Sequence, residues 1–345
     1  MNVKIGQMPK EVRMAKKSKP APFHGLVLLD KPEGITSHDL VGKLRKLLQT
    51  KTIGHAGTLD PMATGLMVLL VGDATKFSNY ILRGDKAYEA EVSLGRITDT
   101  WDRTGETQST AAVDWSESKI QEICKTMQGE LELPLPIFSA VKKDGKKLYE
   151  YAREGKEIEE IIRPMNFREL ELLSMNAQDF SFRVRLRCEK GGYIRSWAKV
   201  FGDRFGCGAN LSALRRSFSE PYTIDLAQTF DEFAKDYQAG VKPKALVPLE
   251  NCLETWPELY IDGRDEKMLM NGAITDSVQR RMQWIDREGM ECGRFDLSDR
   301  DKLGIKVLSC KSKRILALMV PKDQASYKIA RVFRVSHSDM PENAQ

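Results

Sequence analysis

The stretch "GHAGTLDPMATG", residues 54–65, sets three glycines and a histidine around an aspartate that stands before a proline. A residue before proline is kept out of most helical backbone space, so Asp60 is held extended at the edge of a turn. Gly54, Gly57 and Gly65 permit backbone angles and close approaches that side chains forbid. On residue types alone the aspartate reads either as a turn former or helix cap, or as a carboxylate presented for chemistry. The sequence on either side has to discriminate.

Downstream, "LMVLLV" reads as a buried strand and "DATKFSNYILR" as a helix capped by Asp73. "AYEAEVSLG" alternates with Tyr88, Ala90, Val92 and Leu94 on one side. "FSFRVRLRC" repeats the pattern, with Phe182, Val184, Leu186 and Cys188 inward and Arg183, Arg185 and Arg187 outward. "YIRSWAKVFGDRFG" reads as a helix closed by Gly206. Upstream, "LVLL" is short enough for a buried strand. "TSHDLVGKLRKLLQT" reads as a helix capped by Thr36 or Ser37, with Leu40, Val41, Leu44, Leu47 and Leu48 on one face. Strands and helices alternate without a βαβ rhythm. The expected class is α+β, with a mixed, largely antiparallel central sheet flanked by helices.

The 345 residues divide into a basic arm (1–22), a main domain (23–245), a small β-rich module (246–336) and a frayed tail (337–345). The module is expected to hold a helix at "GRDEKMLMNGAI" and strands around "KVLSCK" and "RILALMVP". A net charge of +5 hints at a polyanionic partner without identifying one. The six cysteines are scattered, form no C-x-x-C pair and share no ligand spacing with the four histidines, which argues against a metal site and for a reducing, cytoplasmic setting. The longest apolar run, "GLMVLLVG", is too short to span a bilayer. "KKDGKKLYEYAREGK" (142–156) interleaves lysines and arginine with Tyr149 and Tyr151. It is either a solvated face around a turn or a nucleic-acid contact element.

"GHAGTLDPMATGLMVLLVGDATKF" resembles the signature of the TruB family of pseudouridine synthases. The resemblance extends in motif order through "HGLVLLDKPEGITSHD", "DKAYEAEVSLGRITDTWDRTGE", "FSAVKKDGKKLYEYAREG" and "KGGYIRSWAKVFGDRFGCGANLSALRRS", covering residues 24–218. It implies a cofactor-independent, metal-free isomerisation of uridine 55 in the tRNA T loop, by a stand-alone monomer that needs no guide RNA. Asp60 would be the catalytic carboxylate and Arg195 the cation that keeps it ionised. Tyr88 would stack on the target base and serve in proton transfer, with Tyr193 beside it and Leu214 against the uracil. His55 would help hold the uridine out of the stack. Lys31, Lys142, Lys146 and Lys147 would contact RNA, the last three on a thumb over about 138–160. The C-terminal module takes the place of a PUA-like RNA-binding domain.

Without the motif, Tyr88 reads as core, Leu214 as an ordinary buried leucine, Arg195 as a helix-end charge and His55 as a loop histidine bonded to backbone. The sequence departs from the family pattern in "ELELPLPIFSAVK", at Gly192 where threonine is frequent, and after Arg216 where glycine is frequent. A tRNA-folding factor, or the same chemistry on another T-loop-like RNA, is the competing reading.

Overall fold

The structure, a computed structural model, describes residues 20–139, 141–155, 159–291, 304–323 and 326–333. The basic arm up to residue 19, Lys156 and the expected tail lie outside the described residues.

Strand β1 (Gly25–Lys31) opens the main domain, with Leu26, Val27, Leu28 and Leu29 fully buried. A strand covered on both faces needs a continuous apolar run. Helix α1 (Ser37–Leu48) starts in a capping box: the Thr36 hydroxyl accepts from the Asp39 N–H, and the Asp39 carboxylate accepts from the Thr36 N–H. Leu40, Val41, Leu44 and Leu48 make its buried face. Strands β2 (Ile53–His55) and β3 (Thr64–Val71) bracket the Asp60 loop.

The helix expected over "DATKFSNYILR" is instead a 3-10 stretch, Gly72–Phe77, followed by the single turn α2 (Ser78–Ile81). Asp73 does not cap it. The Asp73 N–H donates to Nδ1 of His24 at 2.8 Å, while its carboxylate pairs with Lys76 at 2.7 Å. A side chain distant in sequence supplies the acceptor that local reading assigned to Asp73.

Strand β4 (Lys86–Leu94) alternates as expected, but the buried set begins one step earlier, at Lys86. A two-stranded ribbon, β5 (Arg96–Thr98) and β6 (Thr107–Thr110), precedes α3 (Glu117–Thr126) and β7 (Gly129–Pro134). The short hairpin β8 (Lys142–Lys143) and β9 (Lys146–Lys147) turns through Asp144 and Gly145, both at positive φ (52° and 81°). An Asp-Gly pair suits that turn because both central residues must be left-handed. Helix α4 (Leu148–Arg153) completes the excursion.

Strands β10 (Ile162–Asn176) and β11 (Ser181–Cys188) lead to α5 (Ile194–Phe205), which ends at Gly206 with φ 95°. Phe201 of α5 packs on Phe182 of β11, and Trp197 packs on Phe201. Outward Arg183, Arg185 and Arg187 are engaged in ion pairs. They bridge Glu89, Glu171 and Glu169 across the sheet. Strands β12 (Ala209–Ser219) and β13 (Tyr222–Thr223), helix α6 (Phe230–Gln238) and β14 (Leu246–Pro248) follow.

Among the described residues these strands form one ten-stranded sheet of order β14-β1-β3-β12-β4-β11-β10-β7, with β2 and β13 appended to β3 and β12. Its pairs are antiparallel except β3 with β12, which meet in parallel at Thr64–Arg215 and Gly65–Arg216. Gly65 has φ 103°, and a Cβ there would lie 2.3 Å from the Arg216 carbonyl oxygen. Only glycine lets the chain leave the Asp60 loop and join β12 so closely.

The second sheet has the order β15-β16-β17-β18. Its elements are β15 (Glu258–Ile261), α7 (Gly263–Met270), α8 (Asp276–Glu291), β16 (Ile305–Ser309), β17 (Ile315–Pro321) and β18 (Tyr327–Val332). Sequence reading anticipated α7, β16 and β17 and missed α8. Residues 246–256 stay with the first domain: β14 pairs with β1, and Leu249, Cys252 and Leu253 join the larger core. The second sheet therefore begins beyond the composition change at 245. It docks through Phe333 on Phe77 (ring centroids 5.4 Å apart) and through buried Lys306, which reaches Glu250 O at 3.0 Å, while Trp256 packs on Tyr80 (4.8 Å) at the end of the first domain.

Replacing Gly65 with alanine combines a left-handed backbone with a backbone clash, and is expected to destabilise the protein by about 3 kcal/mol. Gly129→Ala, at φ 84° but facing open space, serves as the comparison and should lose about 1 kcal/mol. Denaturant unfolding of the two variants measures the difference. Equal losses would mean that the close approach of β3 and β12 imposes no constraint.

Candidate active site

The Asp60 loop is pinned on both sides of the aspartate. Ser37, buried at the start of α1, accepts from the Leu59 N–H and donates to the Leu59 carbonyl, each at 2.9 Å. On the other side the Pro61 carbonyl accepts from the Gly34 N–H at 2.9 Å and from Lys31 Nζ at 3.2 Å. The Ala63 N–H closes onto the Asp60 carbonyl at 3.1 Å. Every one of these bonds is spent on placing a single residue.

Arg195, in the first turn of α5, meets the Asp60 carboxylate with two nitrogens: Nε to Oδ2 at 2.9 Å and Nη2 to Oδ1 at 3.2 Å. The fork geometry matches the planar guanidinium to the carboxylate. Arg195 is 5% exposed, and two further N–H groups go to the carbonyls of Thr100 (3.1 Å) and Phe138 (3.0 Å). Burial pushes the Asp60 carboxyl above its ordinary value, Arg195 and Lys31 pull it down, and nearby Asp102 adds to the rise. Asp102 is itself fixed by the hydroxyls of Thr100 and Thr104.

A cleft of about 410 Å3 opens at this pair, with Asp60, Tyr88, Tyr193, Arg195 and Leu214 in its lining. The sequence placed these residues on three separate motifs, and the fold brings them together. Tyr88 is 8% exposed, and burial drives its phenol up to about 12, so it stays protonated at neutral pH. Tyr193 stands just before α5 and is raised in the same direction, again by burial. Leu214 faces the cleft from β12.

Other expected residues lie elsewhere. Lys31 does not reach the cleft. Its buried ammonium sits beneath the loop, donating to the carbonyls of Pro32 (2.9 Å), Ile35 (2.8 Å) and Pro61, so it is a loop clamp and not an open phosphate ligand. His55 is half-buried on β2, paired with Leu69 of β3, and is not in the cleft lining. Burial and the nearby Arg216 charge lower its pKa. Lys142, Lys146 and Lys147 ride the β8–β9 hairpin. Lys146 pairs with Glu154 over the Tyr151 ring, and Lys147 lies over Tyr149, which reaches the cleft wall.

Two buried cationic residues of the lining are absent from the expected site. Arg216 is 1% exposed, opposite Tyr88 in the strand register, and donates from Nε to the Leu66 carbonyl at 2.7 Å and from Nη2 to the Gly57 carbonyl at 3.3 Å. It ties the Asp60 loop to the Tyr88 strand. The signal was present in "LRRS": on a strand two adjacent arginines point to opposite faces. Arg215 indeed turns outward, to Asp30, at 2.7 Å. Lys86 was equally legible as the residue in step with Tyr88 on an alternating strand.

Among the described residues no group of three His, Cys, Asp or Glu side chains is placed to hold a metal ion, and no helix is long and apolar enough to cross a membrane.

Comparison with known proteins follows the same lines. Residues 45–194 match the TruB family pseudouridylate synthase N-terminal domain. A tRNA pseudouridine synthase B from Bdellovibrio bacteriovorus is 40% identical over 91% of this chain and 98% of its own length. Those of Bacillus subtilis and Aromatoleum aromaticum are 39% and 41% identical, over 74% and 72% of this chain and 85% and 80% of theirs. Among solved structures, a chain of a Cbf5-Nop10-Gar1 complex superposes with TM-score 0.64 at 22% identity, covering 94% of this chain and 91% of that one. The fold is thus that of a pseudouridine synthase, with an added C-terminal β-rich domain. The chain belongs to the TruB family of tRNA pseudouridine synthases.

Because Arg195 pulls the Asp60 carboxyl down against burial, Arg195→Met should move its protonation to higher pH. Carboxyl carbon NMR of aspartate-labelled protein reads this directly. An unmoved or lowered midpoint would show that the pair does not set the charge state.

Proposed function

We propose that this enzyme isomerises uridine to pseudouridine at position 55 of the tRNA T loop, with Asp60 as the catalytic carboxylate. One observation carries the reading: a carboxylate bound by two nitrogens of a buried arginine, at a cleft walled by Tyr88 and Leu214. Breaking N1–C1′ leaves an electron-poor sugar carbon, which Asp60 meets as nucleophile or as stabiliser and base. The uracil turns between Tyr88 and Leu214 and rejoins through C5. Nothing is oxidised, reduced or hydrolysed in this sequence, so the chemistry calls for no cofactor.

The target uridine has to leave its stack to enter such a cleft. Tyr149 and the lysines of the 142–147 hairpin suit a thumb that closes on the T arm, and the C-terminal domain suits a PUA-like contact with the rest of the tRNA. The protein acts as a monomer, without guide RNA, in the cytoplasm. Lys31 serves by holding the Pro61 carbonyl, which fixes the aspartate beside it.

Purified protein should release tritium from tRNA carrying 5-tritiated uridine, because C5 exchanges its hydrogen for the sugar bond. Asp60→Asn should abolish release while tRNA affinity stays within about threefold. Full turnover by the variant would remove Asp60 from the mechanism. Absence of release by the wild type would remove the activity.

A further inference from the structure

Three buried cationic side chains line the cleft: Lys86, Arg195 and Arg216. Arg195 is neutralised by Asp60. Arg216, anchored to the Leu66 and Gly57 carbonyls, and Lys86 make no ion pair among the described residues, and Lys86 is the compact ammonium of the two. It is 7% exposed, sits on the face of β4 that also carries Tyr88, and donates to the carbonyls of Leu82 (2.8 Å) and Gly84. An ammonium has three N–H groups. Among the described residues those two carbonyls are its hydrogen-bond partners, which leaves one N–H for whatever occupies the cleft.

The reaction creates a need for that donor. When N1–C1′ breaks, its electron pair goes to the base, and the detached uracil carries negative charge spread over N1, O2 and O4. Asp60 attends to the sugar. A donor fixed in advance where negative charge develops is the most effective stabiliser a site offers.

We propose that Lys86 is a catalytic residue of this enzyme, donating its remaining N–H to a carbonyl oxygen of the detached uracil and carrying the counter-charge until C5 bonds to C1′. This rests on the reading of Asp60 given above. No proton changes hands in the step Lys86 serves. The pair from N1–C1′ resides on the uracil, a pair from the ring then forms C5–C1′, and afterwards the C5 proton leaves to solvent while N1 takes one up. The ammonium is needed intact throughout.

The surroundings of Lys86 make its charge state readable. Asp85 precedes it on the chain, Cys188 faces it from the end of β11 with Glu189 acting on that thiol, and Arg216 and Glu220 face it from β12 and just beyond. Burial lowers its amine to about 8. Burial also raises its neighbours, the Cys188 thiol and the Tyr88 phenol, each to about 12, so both stay neutral where Lys86 titrates. The sign follows: ammonium is the working form, so the rate falls as pH rises through about 8.

The test is single-turnover pseudouridine formation on tRNA between about pH 6.5 and 9.5, for wild type, Lys86→Met and Lys86→Arg, with tRNA affinity measured beside it. The wild type should show the alkaline fall. Lys86→Met should be about 100-fold slower at pH 7, bind tRNA within about threefold of wild type, and lose the fall. Lys86→Arg, charged at every pH used, should recover part of the rate and also lose the fall. A wild-type rate that stays flat across the range, or Lys86→Met within about threefold of wild type, overturns the proposal. So does a Lys86→Met variant whose tRNA affinity and thermal stability collapse together with its rate, since that is a strand-end clamp and no more. Wild type that forms no pseudouridine at any pH refutes the functional reading itself, a distinct result.

Discussion

The ion pair between Asp60 and Arg195 is the constraint around which the rest is arranged. A carboxylate withdrawn from water is driven toward its neutral form, and a buried arginine is unfavourable without a counter-charge. Each residue makes the other tenable. The pair bridges the Asp60 loop and the start of α5, segments 135 residues apart in the chain. Holding it requires that both be fixed, and the hydrogen bonds from Ser37, Gly34 and Lys31 on one side and the Thr100 and Phe138 carbonyls on the other do so. The parallel meeting of β3 with β12 brings the two halves of the sheet to this point, and the absence of a side chain at Gly65 permits that contact.

Much of this was legible in the sequence because it rests on period and local chemistry. The alternation of β4 and β11, a cap at Thr36 or Ser37 (Thr36 in the structure) and the glycine ending α5 are short-range patterns, and each survived folding. The motif around Asp60 named the loop, and Tyr88, Arg195, Tyr193 and Leu214 converge on one cleft.

What stayed hidden depends on partners far away in the chain. Asp73 reads as a cap until His24 is seen to take its N–H. Lys31 is expected at the RNA surface until three carbonyls are seen to enclose its ammonium. Arg216 and Lys86 are charged residues whose burial no hydropathy pattern announces, and only strand register turns them inward. The composition change near 245 falls just before β14, which still pairs with β1, and so does not mark the entry to the second sheet.

The cleft divides its work by position: a rigid carboxylate for the sugar, an aromatic and an aliphatic wall for the base, buried cations behind them. The site depends on rigid placement of Asp60, and Asp60→Glu probes that placement, since it keeps the charge and moves the carboxylate outward by one methylene. A misplacement of this order costs about 100-fold in rate when geometry governs the reaction. Single-turnover pseudouridine formation by Asp60→Glu should fall by at least that factor with tRNA affinity retained. A rate equal to that of the wild type would contradict that dependence.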